Sequence, residues 1–190
     1  VGRTWSSRIN NSFVSGNVNG VHTTGGLIGW NSWGAIIANS YSVGTVIVSN
    51  QGVGGLVGSN LGAIVNSFSR SVVIGATAGG LVYSNNGDIN NSFSTAYIES
   101  SRKGGLLYIN DYLVNNSYWD MYRSETTTSA AGIGKNDEGS EMNVFFPKTE
   151  LGGDYNVPMQ NNENPENDWD FVNTWKKVDD WYPKLIWEEE

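Results

Sequence analysis

Apolar and polar residues alternate along this chain in short runs. Ile64, Asn66 and Phe68 share one parity, and Ser67 and Ser69 share the other; Ile89, Asn91 and Phe93 stand against Ser92 and Ser94 in the same way. A period of two belongs to strands with one buried face. Two more apolar runs sit in each unit: "SVVIG" (Ser71–Gly75), matched by "GTVIV" (Gly44–Val48), and Gly-Gly-Leu-Val itself. Gly or Asn separates the runs, where the backbone has to turn. The pattern predicts units of about three short strands. It disfavours helices, because Gly costs about 1 kcal/mol per helical site and Asn and Ser prefer turns.

The units recur. Asn-Ser-aromatic begins at Asn11, Asn39, Asn66, Asn91 and Asn116, with spacings of 28, 27, 25 and 25. Gly-Gly-Leu begins at Gly25, Gly54, Gly79 and Gly104, with spacings of 29, 25 and 25. Between the two triplets lies an Asn-plus-Gly turn at Asn31–Gly34, Asn60–Gly62 and Asn85–Gly87, degenerate in the fourth copy, "INDYLVNNSYWD". A unit this short cannot bury its own apolar face. It can as one turn of a coil whose strands pair with their equivalents in the next turn. Propeller blades need longer units, of about 40–50 residues. The expected fold is all-β: a parallel β-helix (β-solenoid) with coils of about 25 residues, stacked about 4.8 Å apart.

Within such a coil, Leu, Ile and the triplet aromatics Tyr41, Phe68, Phe93 and Tyr118 are expected inside, stacked on their own copies. Glycines serve corners of positive φ or close approach. Asn39, Asn66, Asn91 and Asn116 share the inward parity. They form either a ladder of side-chain amides or ordinary Asx turns. Ser40, Ser67, Ser92 and Ser117, on the other parity, are expected outside as polar rows.

"GGLVGSNLGAIVNSFSRSVV", from Gly54, resembles the GLUG motif, a short repeat of bacterial surface proteins. "GGLIGWNSWGAIIANSYSVGTV" follows it with one residue inserted before Asn39. "GGLVYSNNGDINNSFSTAYI" places Tyr83 where the motif has Gly, and "GGLLYINDYLVNNSYWD" lacks the second turn glycine. The resemblance covers about Ile9 to Asp120. "NSYWD" with "SETTTSAAGIG" resembles the segment that closes such arrays, and "DWDFVNTWKKVDDWYPKLIW" (Asp168–Trp187) resembles their ending. The resemblance implies an extracellular or cell-surface, adhesin-like protein. The motif also occurs beside protease domains of the immunoglobulin-A-cleaving metalloprotease type. It carries no catalytic residue.

The period fades after Asp120. Residues 1–120 are expected to form the repeat domain, with its first coil incomplete. Residues 121–190 are expected to form an irregular, acidic, Trp-rich cap over the last coil. In that cap Trp169, Phe171, Trp175, Trp181, Tyr182 and Trp187 would cover apolar stack, with Pro158 and Pro183 fixing turns. Carbohydrate platforms are the alternative use for Trp169, Trp175, Trp181 and Trp187. At the other end, "VGRTWSSRINNSF" enters midway through a unit. Either more chain precedes it, or a neighbouring subunit supplies the missing half and the protein polymerises through open coil ends.

Composition narrows the function. Eight Trp, nine Tyr and six Phe argue against disorder. Of the net charge of −8, residues 1–110 contribute five basic and two acidic groups, and residues 111–190 six basic and seventeen acidic. No basic stripe offers itself to nucleic acid. The acidic surface repels anionic lipid, and no apolar run approaches the roughly 20 residues of a membrane span. With no Cys, disulfides and thiol chemistry are excluded. The single His22 has no metal-binding neighbours. Asp137, Glu138 and Glu141 fit no calcium loop. Asp88 and Asp111, on aligned turns, come nearest to a glycosidase pair, with Glu99 the other repeat carboxylate; Arg102 and Lys103 lack an acidic cage. No catalytic residue, metal or cofactor is expected. The chain reads as a non-enzymatic rigid display or adhesion module, whose partners are other protein subunits or host and glycan surfaces. A self-assembling filament subunit is one alternative; a carbohydrate-binding module or polysaccharide-acting β-helix is another.

Overall fold

Each coil turns on a residue that few side chains tolerate. Asn11, Asn39, Asn66, Asn91 and Asn116 all have positive φ, from 45° to 49°. Left-handed backbone costs an ordinary L-residue about 1–2 kcal/mol, and Asn is among the few that visit it routinely. The computed structural model describes residues 2–120, 123–125, 132–136, 142–145, 169–178 and 181–188. The acidic run at Asp137, Glu138 and Glu141, and Pro158, lie outside the described residues.

Strands pair in parallel with their sequence equivalents, and three faces result. One stacks Arg3–Thr4, Ile28–Asn31, Val57–Asn60, Val82–Asn85, Leu107–Asn110 and Ile133–Asn136. A second stacks Arg8–Asn10, Ile36–Ala38, Ala63–Val65, Asp88–Asn90 and Val114–Trp119. The third lays Phe13–Gly20 on Tyr41–Gly54, then Phe68–Ser69 and Val72–Gly79, then Phe93–Ser94, Tyr97–Glu99 and Arg102–Gly104. The protein is therefore the all-β parallel solenoid that the repeat predicts. Phe68 pairs with Phe93 in register, as do Ser69 and Ser94. The stacking also runs past Asp120: Ile133–Asn136 pairs with Leu107–Asn110, and Met142–Phe145 with Val114–Trp119. Backbone pairing survives there after the signature residues have gone.

The core is a set of columns. Leu27, Leu56, Leu81 and Leu106 form one; Ile37, Ile64, Ile89 and Val114 another; all are buried in a single cluster. A smaller core of Val46, Val53, Val73, Ala78 and Ile98 fills the arch of the third face. Trp119 also belongs to the main cluster. It pairs with Ser94 and so stands in the column of Ser42, Ser69 and Ser94, replacing a small polar group with a ring that is 1% exposed.

Of the two uses expected of the glycines, Gly-Gly-Leu shows the close approach, while positive φ falls to the triplet asparagines and to Gly16, Gly34 and Gly44. At Gly54 and Gly55 the constraint is space. A Cβ on Gly54 would run into the Val57 carbonyl, and one on Gly55 into the Gly80 carbonyl of the next coil and the Ser69 hydroxyl. One expectation needs correction, and it concerns which side faces in. Strict alternation from Ile64 puts Asn66 and Phe68 inside. The left-handed residue at 66 breaks the alternation, so Ser67 and Ser69 turn inward and Phe68 turns out. Ser40, Ser67, Ser92 and Ser117 are each 0% exposed, and so form no surface rows.

Candidate functional site

The Asn-Ser-aromatic triplet divides its labour. Asn makes the corner. Ser repairs the hydrogen bonding that the corner disrupts. The Ser67 hydroxyl donates to the Val65 carbonyl at 2.8 Å and accepts the Ser40 N–H of the preceding coil at 3.2 Å. Ser40, Ser92 and Ser117 do the same, donating to Ala38, Asn90 and Asn115 and accepting from Ser12, Ser67 and Ser92. Backbone groups buried at a kink are thus paired rather than orphaned. The triplet asparagines act mainly through their backbone. Asn66 Nδ2 donates to Asn39 Oδ1 at 3.3 Å and Asn39 Nδ2 to Asn10 Oδ1 at 3.1 Å, but among the described residues the link does not extend to Asn91.

The buried amide ladder uses other residues. Asn31 Nδ2 donates to Asn60 Oδ1 at 2.8 Å, Asn60 to Asn85 at 2.7 Å and Asn85 to Asn110 at 2.8 Å. The Thr4 hydroxyl donates to Asn31 Oδ1 at 2.9 Å at the first coil, and Asn110 Nδ2 donates to the Tyr112 carbonyl at 2.9 Å. All four asparagines are 0% exposed. The sequence places the first three among turn residues because Gly follows closely. The spacing of all four, 29, 25 and 25, equals that of Gly-Gly-Leu and was the available signal.

The triplet aromatics form an external stack. Phe13, Tyr41, Phe68 and Phe93 follow one another with ring centroids 5.1, 4.8 and 4.9 Å apart. Tyr41, Phe68, Phe93 and Tyr118 are nonetheless buried, because the C-terminal segment lies over them with Trp169, Trp175, Tyr182 and Leu185. The described part of this segment runs back along the side of the coil, toward its first turns. Trp169 packs edge-on to Tyr118, Trp175 lies against Phe93 and Phe68, and Trp187 lies against Tyr41 and Phe13. At its two ends, Trp169 Nε1 donates to the Asn116 carbonyl and Trp187 Nε1 to the Asn39 carbonyl, both at 3.0 Å. Tyr182 donates its hydroxyl to Asp120. Arg70 holds the last stretch of the strap. It pairs with Glu188 at 2.8 Å, donates to the Pro183 carbonyl at 3.1 Å and lies 4.3 Å over the Phe68 ring. Burial pulls the Arg70 guanidinium below its ordinary pKa, and Glu188 works against that shift.

Three of the four tail tryptophans are thus committed to the stack, Trp169, Trp175 and Trp187. Trp181 alone of the four stays well exposed, at 45%. Other candidates stand apart. Asp88 pairs with Ala63, whereas Asp111 accepts from Asn86 in the neighbouring turn at 3.0 Å. Glu99 and Arg102 are exposed on the third face, and Lys103 bonds the Ile98 carbonyl and pairs with Glu125 at 3.6 Å. His22 is exposed. Among the described residues no group of three His, Cys, Asp or Glu could hold a metal ion, and no helix is long and apolar enough to cross a membrane.

Four exposed aromatics lie on the first two coils, Trp5 and Phe13 on the first and Trp30 and Trp33 on the next. Trp5, Phe13, Trp30 and Trp33 are 65%, 54%, 42% and 61% exposed. Arg3 lies between the rings of Trp5 and Trp30, at 5.0 and 5.3 Å. Among the described residues, Arg3–Thr4, Arg8–Asn10 and Phe13–Gly20 each pair on one side only. The chain matches no protein-family model, no curated protein and no solved structure.

Proposed function

We propose that this chain is a rigid, non-enzymatic β-solenoid module of an extracellular bacterial surface protein, working as a display or adhesion scaffold. One observation carries the reading. Each residue type that recurs with the period is consumed by coil-to-coil contact: Asn at the corner, Ser beneath it, the aromatic in the covered stack, Gly-Gly-Leu in the close approach, Asn in the buried ladder. A repeat spent on stacking encodes a rod, and a rod serves by holding other things at a distance. The GLUG-like residues support the cell-surface setting. Small-angle scattering of the purified chain tests the reading, with an assay against a panel of polysaccharides. An elongated, rigid profile without turnover is expected; a flexible profile or turnover of a polysaccharide would sink it.

A second reading is self-assembly through the first coil, favoured by its one-sided strands and by Phe13 and Trp5 beside them. An open strand edge is a pairing template. Concentration-dependent polymers in sedimentation velocity, abolished by Val18→Pro on the Phe13–Gly20 edge, would support it; a monomer at all concentrations would remove it.

A further inference from the structure

The turn that follows the buried Asn ladder forms a shallow trough on the outside of the rod. Its floor is made by Gly62 and Gly87, and Asn86 and Asp88 project along it. Trp33 stands at one end, and Tyr112 at the other. The glycines are compulsory, because a Cβ on Gly62 would meet the Ala35 carbonyl and one on Gly87 the Gly62 carbonyl. The coils approach so closely here that no side chain can fill the floor. Tyr112 aligns with Gly87, since Ile89 pairs with Val114, so a ring ends the glycine column. Trp33 sits on the longer turn Ser32–Ala35, which stands in place of Leu61–Gly62.

Neither ring does structural work. Trp33 is 61% exposed and Tyr112 is 46% exposed. They belong to turns three coil steps apart, which is about 14 Å at the spacing of stacked strands. Asp88 is half-buried, and its carboxylate has no hydrogen-bond partner among the described residues. Asn86 donates to Asp111 and keeps its carbonyl oxygen for another donor. No Lys or Arg lines the trough, and Asp88 gives it negative charge.

We infer that this trough binds a short linear stretch of neutral oligosaccharide, with end sugars stacked on Trp33 and Tyr112 and hydroxyls of the middle sugars hydrogen-bonded to Asp88 and Asn86. Pyranose rings present an apolar face to flat aromatic rings and hydroxyl donors at their edges. That combination is what two end platforms and a polar, glycine-floored middle accept. An acidic polysaccharide would meet a carboxylate and no cation. This is a binding activity beyond the scaffold reading, and it does not depend on it. It also moves the sugar-facing aromatics from the tail, where Trp169 and Trp175 are buried, to the turns of the repeat.

Titration calorimetry of the whole chain with cellotetraose, xylotetraose and chitotetraose tests the inference. At least one is expected to bind, with Trp33→Ala and Tyr112→Ala each weakening it about tenfold or more. Asp88→Ala should weaken it as well, and Trp181→Ala should leave it unchanged. Both rings are exposed, so the variants should unfold thermally like the wild type. Binding of none of the three at millimolar ligand overturns the inference, as does binding that survives either ring substitution. Failure here leaves the scattering test of the rod untouched, and turnover of a sugar would overturn the scaffold reading instead.

Discussion

Trp187 donates its indole N–H to the carbonyl of Asn39, 148 residues earlier, at 3.0 Å. Trp169 makes the same bond to Asn116. Both acceptors are the left-handed residues of a coil corner. The tail therefore reads the second and the last of the five asparagine corners and clamps the stack between them. Trp187→Phe and Trp169→Phe keep a ring in the stack but remove the indole N–H and part of its buried area. Each should lower stability by about 1 kcal/mol or more in urea denaturation. The two sites are far apart, so the double variant should show the sum. A wild-type midpoint for both would mean that the clamp contributes nothing through those bonds.

Arg70 and Glu188 have side chains 15% and 7% exposed, which leaves little water to screen either charge. Removing one partner strands the other. Arg70→Met should cost about 3 kcal/mol, most of it from the uncompensated Glu188 carboxylate. Arg70→Met combined with Glu188→Gln should recover a large part of that loss. The double-mutant cycle, measured by chemical unfolding, should give a clear coupling energy; additive losses would mean that the pair is not formed.

Asp170 begins the strap's turn. Its Oδ1 accepts the N–H groups of Val172 and Asn173, and these bonds hold its pKa below the usual carboxylate value. A carboxylate depressed in the folded state contributes stability above its unfolded pKa and loses it as pH falls through the folded one. The Val172 and Asn173 amides should therefore lose protection, measured against their intrinsic exchange rates at each pH, as the solution is acidified below the ordinary Asp range. Asp170→Asn keeps a neutral acceptor and should lose that pH dependence of protection. Hydrogen exchange followed by NMR reads both.

The register of this fold was open to reading because spacing alone sets it: Phe68 and Phe93 are 25 residues apart and pair directly. Facing was not. Counting alternate residues assumes extended backbone throughout, and one left-handed Asn66 inverts everything after it. Hence Ser67 was expected outside and Phe68 inside, and both lie on the opposite side. Asn85 was hidden for another reason, since Asn near Gly carries the signature of a turn, and only burial distinguishes it from a ladder. The tail aromatics were visible as a cluster, but no periodicity recorded their path. A cap over the end and a strap along the side have the same composition.

The corner itself can be tested at Asn91, where φ is 49°. Asn91→Gly keeps the left-handed backbone accessible and should change stability little. Asn91→Ala forces an L-residue with no compensating side chain into that region, and should cost about 1–2 kcal/mol. If Gly and Ala were equally harmful, the side-chain amide rather than the backbone would be what the position requires.

Asn85 tests the ladder at its centre. It accepts from Asn60 at 2.7 Å and donates to Asn110 at 2.8 Å, with no exposure to water. Asn85→Ala leaves Asn110 Oδ1 without that donor and weakens the hold on Asn60 Nδ2. At about 1–3 kcal/mol for each group left unsatisfied, a loss of roughly 3 kcal/mol is expected. Asn85→Asp is the sharper variant. It still accepts from Asn60 but can donate to Asn110 only when protonated, and burial disfavours its charged form. Its pKa in the folded state therefore lies above that in the unfolded chain. The folded variant binds the extra proton, so its stability falls as pH rises through the folded pKa and is recovered on acidification. Thermal unfolding at neutral and mildly acidic pH should show Asn85→Asp gaining on Asn85→Ala as pH drops. Equal behaviour of the two at both pH values would mean that the amides stack without passing hydrogen bonds from coil to coil.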